Sequence, residues 1–108
     1  MANPNVVEFT TANFDNEVLA SKTPVVVDFW AEWCAPCKLL GPTIDQLAEE
    51  FKGKVKVGKL NTEHNRDIAV KFEIQGIPTV LIFKDGAIVN RIMGLRPKAE
   101  FVNALSKL

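Results

Sequence analysis

Two β-prone runs bracket a long helical pattern, and that order restricts the fold more than any other feature of the chain. Val25, Val26, Val27, Asp28, Phe29 and Trp30 form a nearly unbroken run of β-branched and aromatic residues, the pattern of a strand covered on both faces. After Cys37, the residues Leu40, Ile44, Leu47, Ala48 and Phe51 recur at helical spacing. They predict a helix from near Cys34 to a stop around Gly53, kinked at Pro42, which has no amide proton to donate to Lys38. Val55 to Leu60 repeats the buried-strand pattern. A strand, a helix and a strand in this order call for a right-handed crossover and parallel pairing. Asp28 is the one misfit in its run.

The flanking segments extend the same scheme. Val6 to Phe9 reads as a short strand, and Phe14 with Val18 mark a short helix that Thr11 or Asn13 is placed to cap. Asn65 is placed to cap another, presenting Ile68 and Phe72. Thr79 to Phe83 and Ala87 to Ile92 flank Lys84-Asp85-Gly86, and Asp-Gly between two such runs signals an antiparallel hairpin. Pro97 suits a helix's first turn, and Phe101, Val102, Leu105 and Leu108 give the last helix an apolar stripe. The expected fold class is α/β, a mixed sheet with helices on both faces. With 108 residues and no linker, repeat or low-complexity segment, one domain over residues 1–108 is expected.

Charge narrows the function. Thirteen basic residues balance thirteen acidic ones, a composition that argues against nucleic-acid or membrane-surface binding. Met1 to Thr10 lack a basic start followed by an apolar stretch, so the expected setting is cytoplasmic. In a reducing compartment a close cysteine pair is more often catalytic or metal-binding than structural.

Cys34 and Cys37 follow the buried run and open the helix, with Pro36 where first-turn amides have no intrahelical acceptor. Three residues apart, they share a helix face, so the sulfurs can bond when oxidised. When they are reduced, the free N–H groups and the positive end of the helix dipole favour a thiolate. Cys34, nearer the terminus, is the expected attacking thiol, and Cys37 the resolving one. Zinc binding and a purely structural disulfide stay open on spacing alone. Against the first stands a shortage of ligands, since only His64 could join the pair as a Cys or His donor. Against the second, so short a loop removes little unfolded-state entropy. Burial of Asp28 in the strand leading to the pair is expected to raise its pKa toward the range of proton exchange.

The segment Val27-Asp28-Phe29-Trp30-Ala31-Glu32-Trp33-Cys34-Ala35-Pro36-Cys37-Lys38 resembles the active-site stretch of the thioredoxin family, as do Ile77-Pro78-Thr79 and Lys84-Asp85-Gly86 downstream. With the matching order of elements, the resemblance covers essentially the whole chain. It implies a thioredoxin fold, a central five-stranded mixed sheet flanked by four helices, in a monomer that reduces protein disulfides. It also implies recharging by thioredoxin reductase, with NADPH and flavin acting through that partner and no cofactor bound to this chain.

Carried over residue by residue, the resemblance makes Asp28 the proton acceptor for Cys37 and Lys59 the partner of Asp28. It makes Ala35 and Pro36 residues that tune the redox poise, with Ala35 a departure from the family's usual glycine. Ile77-Pro78 matches the family's cis-proline loop, with Trp33, Gly76, Ile77, Pro78, Met93 and Gly94 forming an apolar docking surface for an extended disulfide-bearing client. Two other functions compete: the same chemistry run as an oxidase or isomerase, and a binding module with idle cysteines.

Overall fold

The computed structural model describes residues 3–108. Met1 and Ala2, which belong to the stretch read for a leader, lie outside the described residues. Five strands form one sheet in the order β1-β3-β2-β4-β5: β1 is Val6–Phe9, β2 Val25–Trp30, β3 Lys56–Asn61, β4 Thr79–Lys84 and β5 Ala87–Met93. Between and after them come a π-helical turn, Asp15–Leu19, and helices α1 (Ala35–Glu50), α2 (Arg66–Lys71) and α3 (Lys98–Ser106). β1, β3 and β2 run parallel, and β4 and β5 are antiparallel to their neighbours. The mixed α/β sheet expected from the sequence is the one observed.

Side-chain alternation on β2 explains why nearly every residue of it is buried. Val26 joins Leu40, Ile44 and Leu47 of α1 and Phe101 and Leu105 of α3 in one core. Val25, Val27 and Phe29 join Phe9, Phe14, Leu60 and Phe83 in the other. Successive side chains point to opposite faces. Asp28, two residues from Val26, therefore lies on the face that α1 covers, and it is buried to 1% exposure. On the opposite face, Phe14 meets Phe83 edge-on at 5.8 Å between centroids, a favourable aromatic geometry. There Gly58 is the only residue that fits its strand position: a Cβ would fall 2.5 Å from the Val7 carbonyl oxygen and inside the Phe9 ring.

Several local expectations are corrected. The segment holding Phe14 and Val18 forms the π-helical turn and has no side-chain cap, because Asn13 is occupied with Thr10 and with the Glu8 carbonyl, and Thr11 with Asn65 and Asp67. Asn65 sits at the start of α2 without capping it, its side chain turned back to Thr11 and Asn61. α1 needs no such correction: it spans Ala35–Glu50 with Pro42 inside it, close to the helix the spacing predicts. Pro97 stands one residue before α3, and Leu108 lies beyond that helix and exposed, so the buried stripe is Phe101 and Leu105. At the hairpin, Asp85 and Gly86 both take positive φ, 54° and 80°, the mirror-image turn whose twist suits paired strands.

Candidate active site

The parallel strand β2 ends at Trp30, and the chain then turns so that the Cys34 amide donates to the Ala31 carbonyl at 3.1 Å. Cys34 is extended (φ −93°, ψ 105°) and stands at the N-cap of α1. Its Sγ accepts the Cys37 backbone N–H at 3.2 Å, so a sulfur fills the place where a helix usually has a serine or aspartate oxygen. Pro36, in the first turn, gives up an amide that had no helical partner. Cys34 and Cys37 are joined in a disulfide with their Cα atoms 5.3 Å apart. Once that bond is reduced, the same N–H and the dipole end of a sixteen-residue helix face a Cys34 thiolate, the arrangement that lowers a thiol's pKa. Ala35 and Pro36 lie exposed between the two buried sulfurs.

A second backbone segment closes on the pair. Ile77-Pro78 is cis, and the Ile77 carbonyl oxygen lies 3.7 Å from Cys34 Sγ. Two contacts fix this loop: the Thr79 hydroxyl donates to the Gly76 carbonyl, and the Gly94 amide donates to the Pro78 carbonyl at 2.9 Å. Trp33, Gly76 and Ile77 line a groove of about 270 Å³ together with Thr62, Ala69, Ile74 and Gln75. Trp33 is 69% exposed, an unusual placement for an indole and one that suits a contact surface. Pro78 is buried, while Met93, in register with Thr79, and Gly94, at φ 86°, stand next to the loop and outside the groove lining. Thr62, Ala69, Ile74 and Gln75 escaped sequence reasoning, since only the packing of α2 and its flanking loops beside the cysteines reveals them.

Asp28 is the electrostatic anomaly. Neither carboxylate oxygen has a protein hydrogen-bond partner among the described residues. Burial pushes its pKa from 3.8 to about 7, against the opposing pull of the Lys59 ammonium. Glu8, Lys59 and Asp28 are register partners on three adjacent parallel strands. Lys59 makes no ion pair with Asp28. Its Nζ lies 5.9 Å from the centre of the Trp30 ring and 3.6 Å from where a Cβ on Gly41 would stand. Lys59 thus acts on Asp28 through space, as a nearby charge and not as a bonded partner. His64 is exposed and lines a separate cleft with Glu8, Glu32, Asn61 and Lys59. Among the described residues no three His, Cys, Asp or Glu side chains gather where they could hold a metal ion.

A redox-capable cysteine pair at a helix start, a cis-proline loop against its sulfur and a mixed five-stranded sheet define a class, the thiol-disulfide oxidoreductases. The comparisons with known proteins are narrower. The family model described as Thioredoxin matches residues 5–107. The chain is 46% identical over 98 residues to thioredoxin 1 of Synechococcus elongatus, covering 91% of this chain and 92% of that protein. It is 43% identical over 103 residues to the thioredoxin of Pyropia yezoensis (95% and 96% covered). The thioredoxin of Pseudomonas aeruginosa gives 43% over 96 residues, 89% of each chain. The chain belongs to the thioredoxin family, and its activity is thiol-disulfide exchange.

Proposed function

We propose that this chain, as one domain over residues 1–108 and a cytoplasmic monomer, reduces disulfides in client proteins and is recharged by thioredoxin reductase. The reductase supplies electrons from NADPH through its own flavin, so the chain itself carries two electrons as a dithiol and holds no cofactor. The observation that carries this reading is the Cys34 sulfur at the N-cap of α1, accepting the Cys37 amide at 3.2 Å and joined to Cys37.

In the proposed sequence the Cys34 thiolate attacks one sulfur of a client disulfide. That bond breaks, the leaving client thiolate takes up a proton, and a mixed disulfide joins Cys34 to the client. Cys37 then gives its proton to the Asp28 carboxylate and attacks Cys34 Sγ, releasing the second client thiolate and closing the Cys34-Cys37 disulfide. Two electrons have passed to the client. A pKa of about 7 makes Asp28 a fitting acceptor, since near neutral pH it is present as base and acid alike. Lys59 favours the basic form of that carboxylate. Trp33, Gly76, Ile77, Pro78, Met93 and Gly94 form the docking face, with the Ile77 backbone offered to an extended client strand. Ala35 and Pro36 set the poise, being the residues between the sulfurs.

Trapping decides the roles. A Cys37→Ser variant is expected to accumulate covalent complexes with client proteins on non-reducing gels, whereas Cys34→Ser accumulates none. The opposite result reverses nucleophile and resolving thiol. Reduction of a protein disulfide by the wild-type chain with thioredoxin reductase and NADPH checks the direction of electron flow, and failure there rejects the reductase reading.

A further inference from the structure

One buried polar side chain is left unused by the chemistry above. Asn65 is 7% exposed, and both its amide oxygen and its amide nitrogen are hydrogen-bonded. Oδ1 accepts the Thr11 backbone N–H at 2.9 Å, with the Thr11 hydroxyl oxygen 3.3 Å away, while Nδ2 donates to the Asn61 carbonyl at 3.0 Å. The bond to Asn61 closes the loop between β3 and α2 on itself, and the bonds to Thr11 tie that loop to the segment following β1, 54 residues away in sequence. Thr11 adds a second strut through its hydroxyl, which donates to Asp67 of α2 at 2.6 Å.

What this bracing holds is one wall of the groove beside the disulfide. Thr62, inside the closed loop, lines the groove opposite Gly76 and Ile77, and Ala69 of α2 lines it too. Thr62 is fixed at its front by its own amide and hydroxyl, both donating to the Trp30 carbonyl at 2.9 and 3.2 Å. At the back of the loop, Asn61 Oδ1 accepts the Glu63 amide at 2.9 Å. The Asn65 side chain, at the start of α2, links this loop to the segment after β1. We infer that Asn65 is a positioning residue for client docking: it touches neither sulfur nor client, but sets the width of the groove by holding Thr62 and Ala69 against the Ile77 loop. The inference deepens the proposed reductase function and rests on it for the role of the groove.

The consequence is selective. A protein client must fit along the groove, whereas a small aromatic disulfide needs only the exposed edge of the cysteine pair. Kinetics of an Asn65→Ala variant on both substrates, with reductase and NADPH in excess, separate the two. The expected result is a KM for the protein disulfide raised about fivefold or more at nearly constant kcat, the signature of weakened binding, with the small disulfide unaffected. Asn65→Asp keeps the acceptor for Thr11 and loses the donor to Asn61, so its KM should fall between the two. Val102→Ala, a mild truncation in α3 on the other face of the sheet, serves as a control for general loosening and should leave the ratio of the two substrates unchanged.

A folded Asn65→Ala protein with an unchanged protein-disulfide KM, or with both substrates slowed equally, overturns the inference. Where Asn65→Ala does not fold, Asn65→Asp decides on the same criteria. Amide hydrogen exchange supplies a readout independent of activity: Thr62 should exchange faster in the variant while Val26 and Val80 in the sheet core keep their protection. Should the wild-type chain reduce the small disulfide and no protein, the reductase reading fails, and the exchange of Thr62 alone decides whether Asn65 holds the wall.

Discussion

Asp28 and Asn65 are both buried polar side chains close to the same active site, and they have been treated in opposite ways. Asn65 has both its amide oxygen and its amide nitrogen hydrogen-bonded, to Thr11 and to Asn61. Asp28 meets no such partner, and burial moves its pKa to about 7. A satisfied buried amide adds stiffness at a small net gain in stability. An unsatisfied carboxylate costs stability, and it persists here on a strand whose other residues are apolar. The contrast separates a group kept for architecture from one whose environment suits proton exchange.

The largest expected effect breaks the pair apart by pH. The folded pKa of Asp28 lies near 7 and the unfolded one near 3.8, so between those values the native state holds a proton that the unfolded state has released. Stability therefore falls as pH rises through that window and levels off above it. Each pH unit corresponds to about 1.4 kcal/mol, so the full shift amounts to about 4 kcal/mol. Asp28→Asn should match the wild type near the acid end and exceed it by up to about 4 kcal/mol above neutrality. Urea unfolding across the window checks this, and parallel curves for the two proteins would show that the carboxylate is not the buried acid described. The same variant should release clients more slowly from the mixed disulfide, because Cys37 has lost its proton acceptor.

Asn65→Ala should do the reverse. Leaving Thr11 and Asn61 without their buried partner is expected to cost about 2 kcal/mol, with no dependence on pH, since no ionisable group is lost. The same urea series reads it. A pH-dependent loss would contradict this and blur the division between the two residues.

How far the sequence foretold these placements depended on whether the signal was local. The run Val25 to Trp30, the helical period after Cys37 and the Asp-Gly hairpin are carried by neighbouring residues, and the structure follows them to within a residue or a few. Asp28 was visible for the same reason: a charged residue in an apolar strand announces itself. Asn65 was read as a helix cap because asparagine before a short helix usually is one. Its true partners, Thr11 and Asn61, come from packing that no local pattern encodes. The groove lining of Thr62, Ala69 and Ile74 was hidden likewise, since these residues carry no local signal and are brought to the groove only by where α2 and its flanking loops lie. The pairing of Lys59 with Asp28 came from the resemblance alone, and where the long flexible side chain of Lys59 ends, beside the Trp30 ring, was not legible in the sequence.

Lys59 allows the smallest and most discriminating test of the comparison. It stands between exposed Glu8 and buried Asp28 in the row across β1, β3 and β2, with its ammonium near the Trp30 ring and not bonded to the carboxylate. Its effect on Asp28 is thus purely a field, lowering a pKa that burial has raised. Lys59→Met keeps the apolar stem that lies on the sheet and removes only the charge. The pKa of Asp28 should then rise above its present value, extending the fall in stability to higher pH and leaving less carboxylate at neutrality to receive the Cys37 proton. Client release at neutral pH should slow by less than about tenfold and recover as pH is raised, while the first attack by Cys34 is unaffected. An unchanged stability profile would show that the ammonium is screened by the cleft it faces. Asp28 would then owe its pKa to burial alone, and its contrast with Asn65 would need no help from a neighbouring charge.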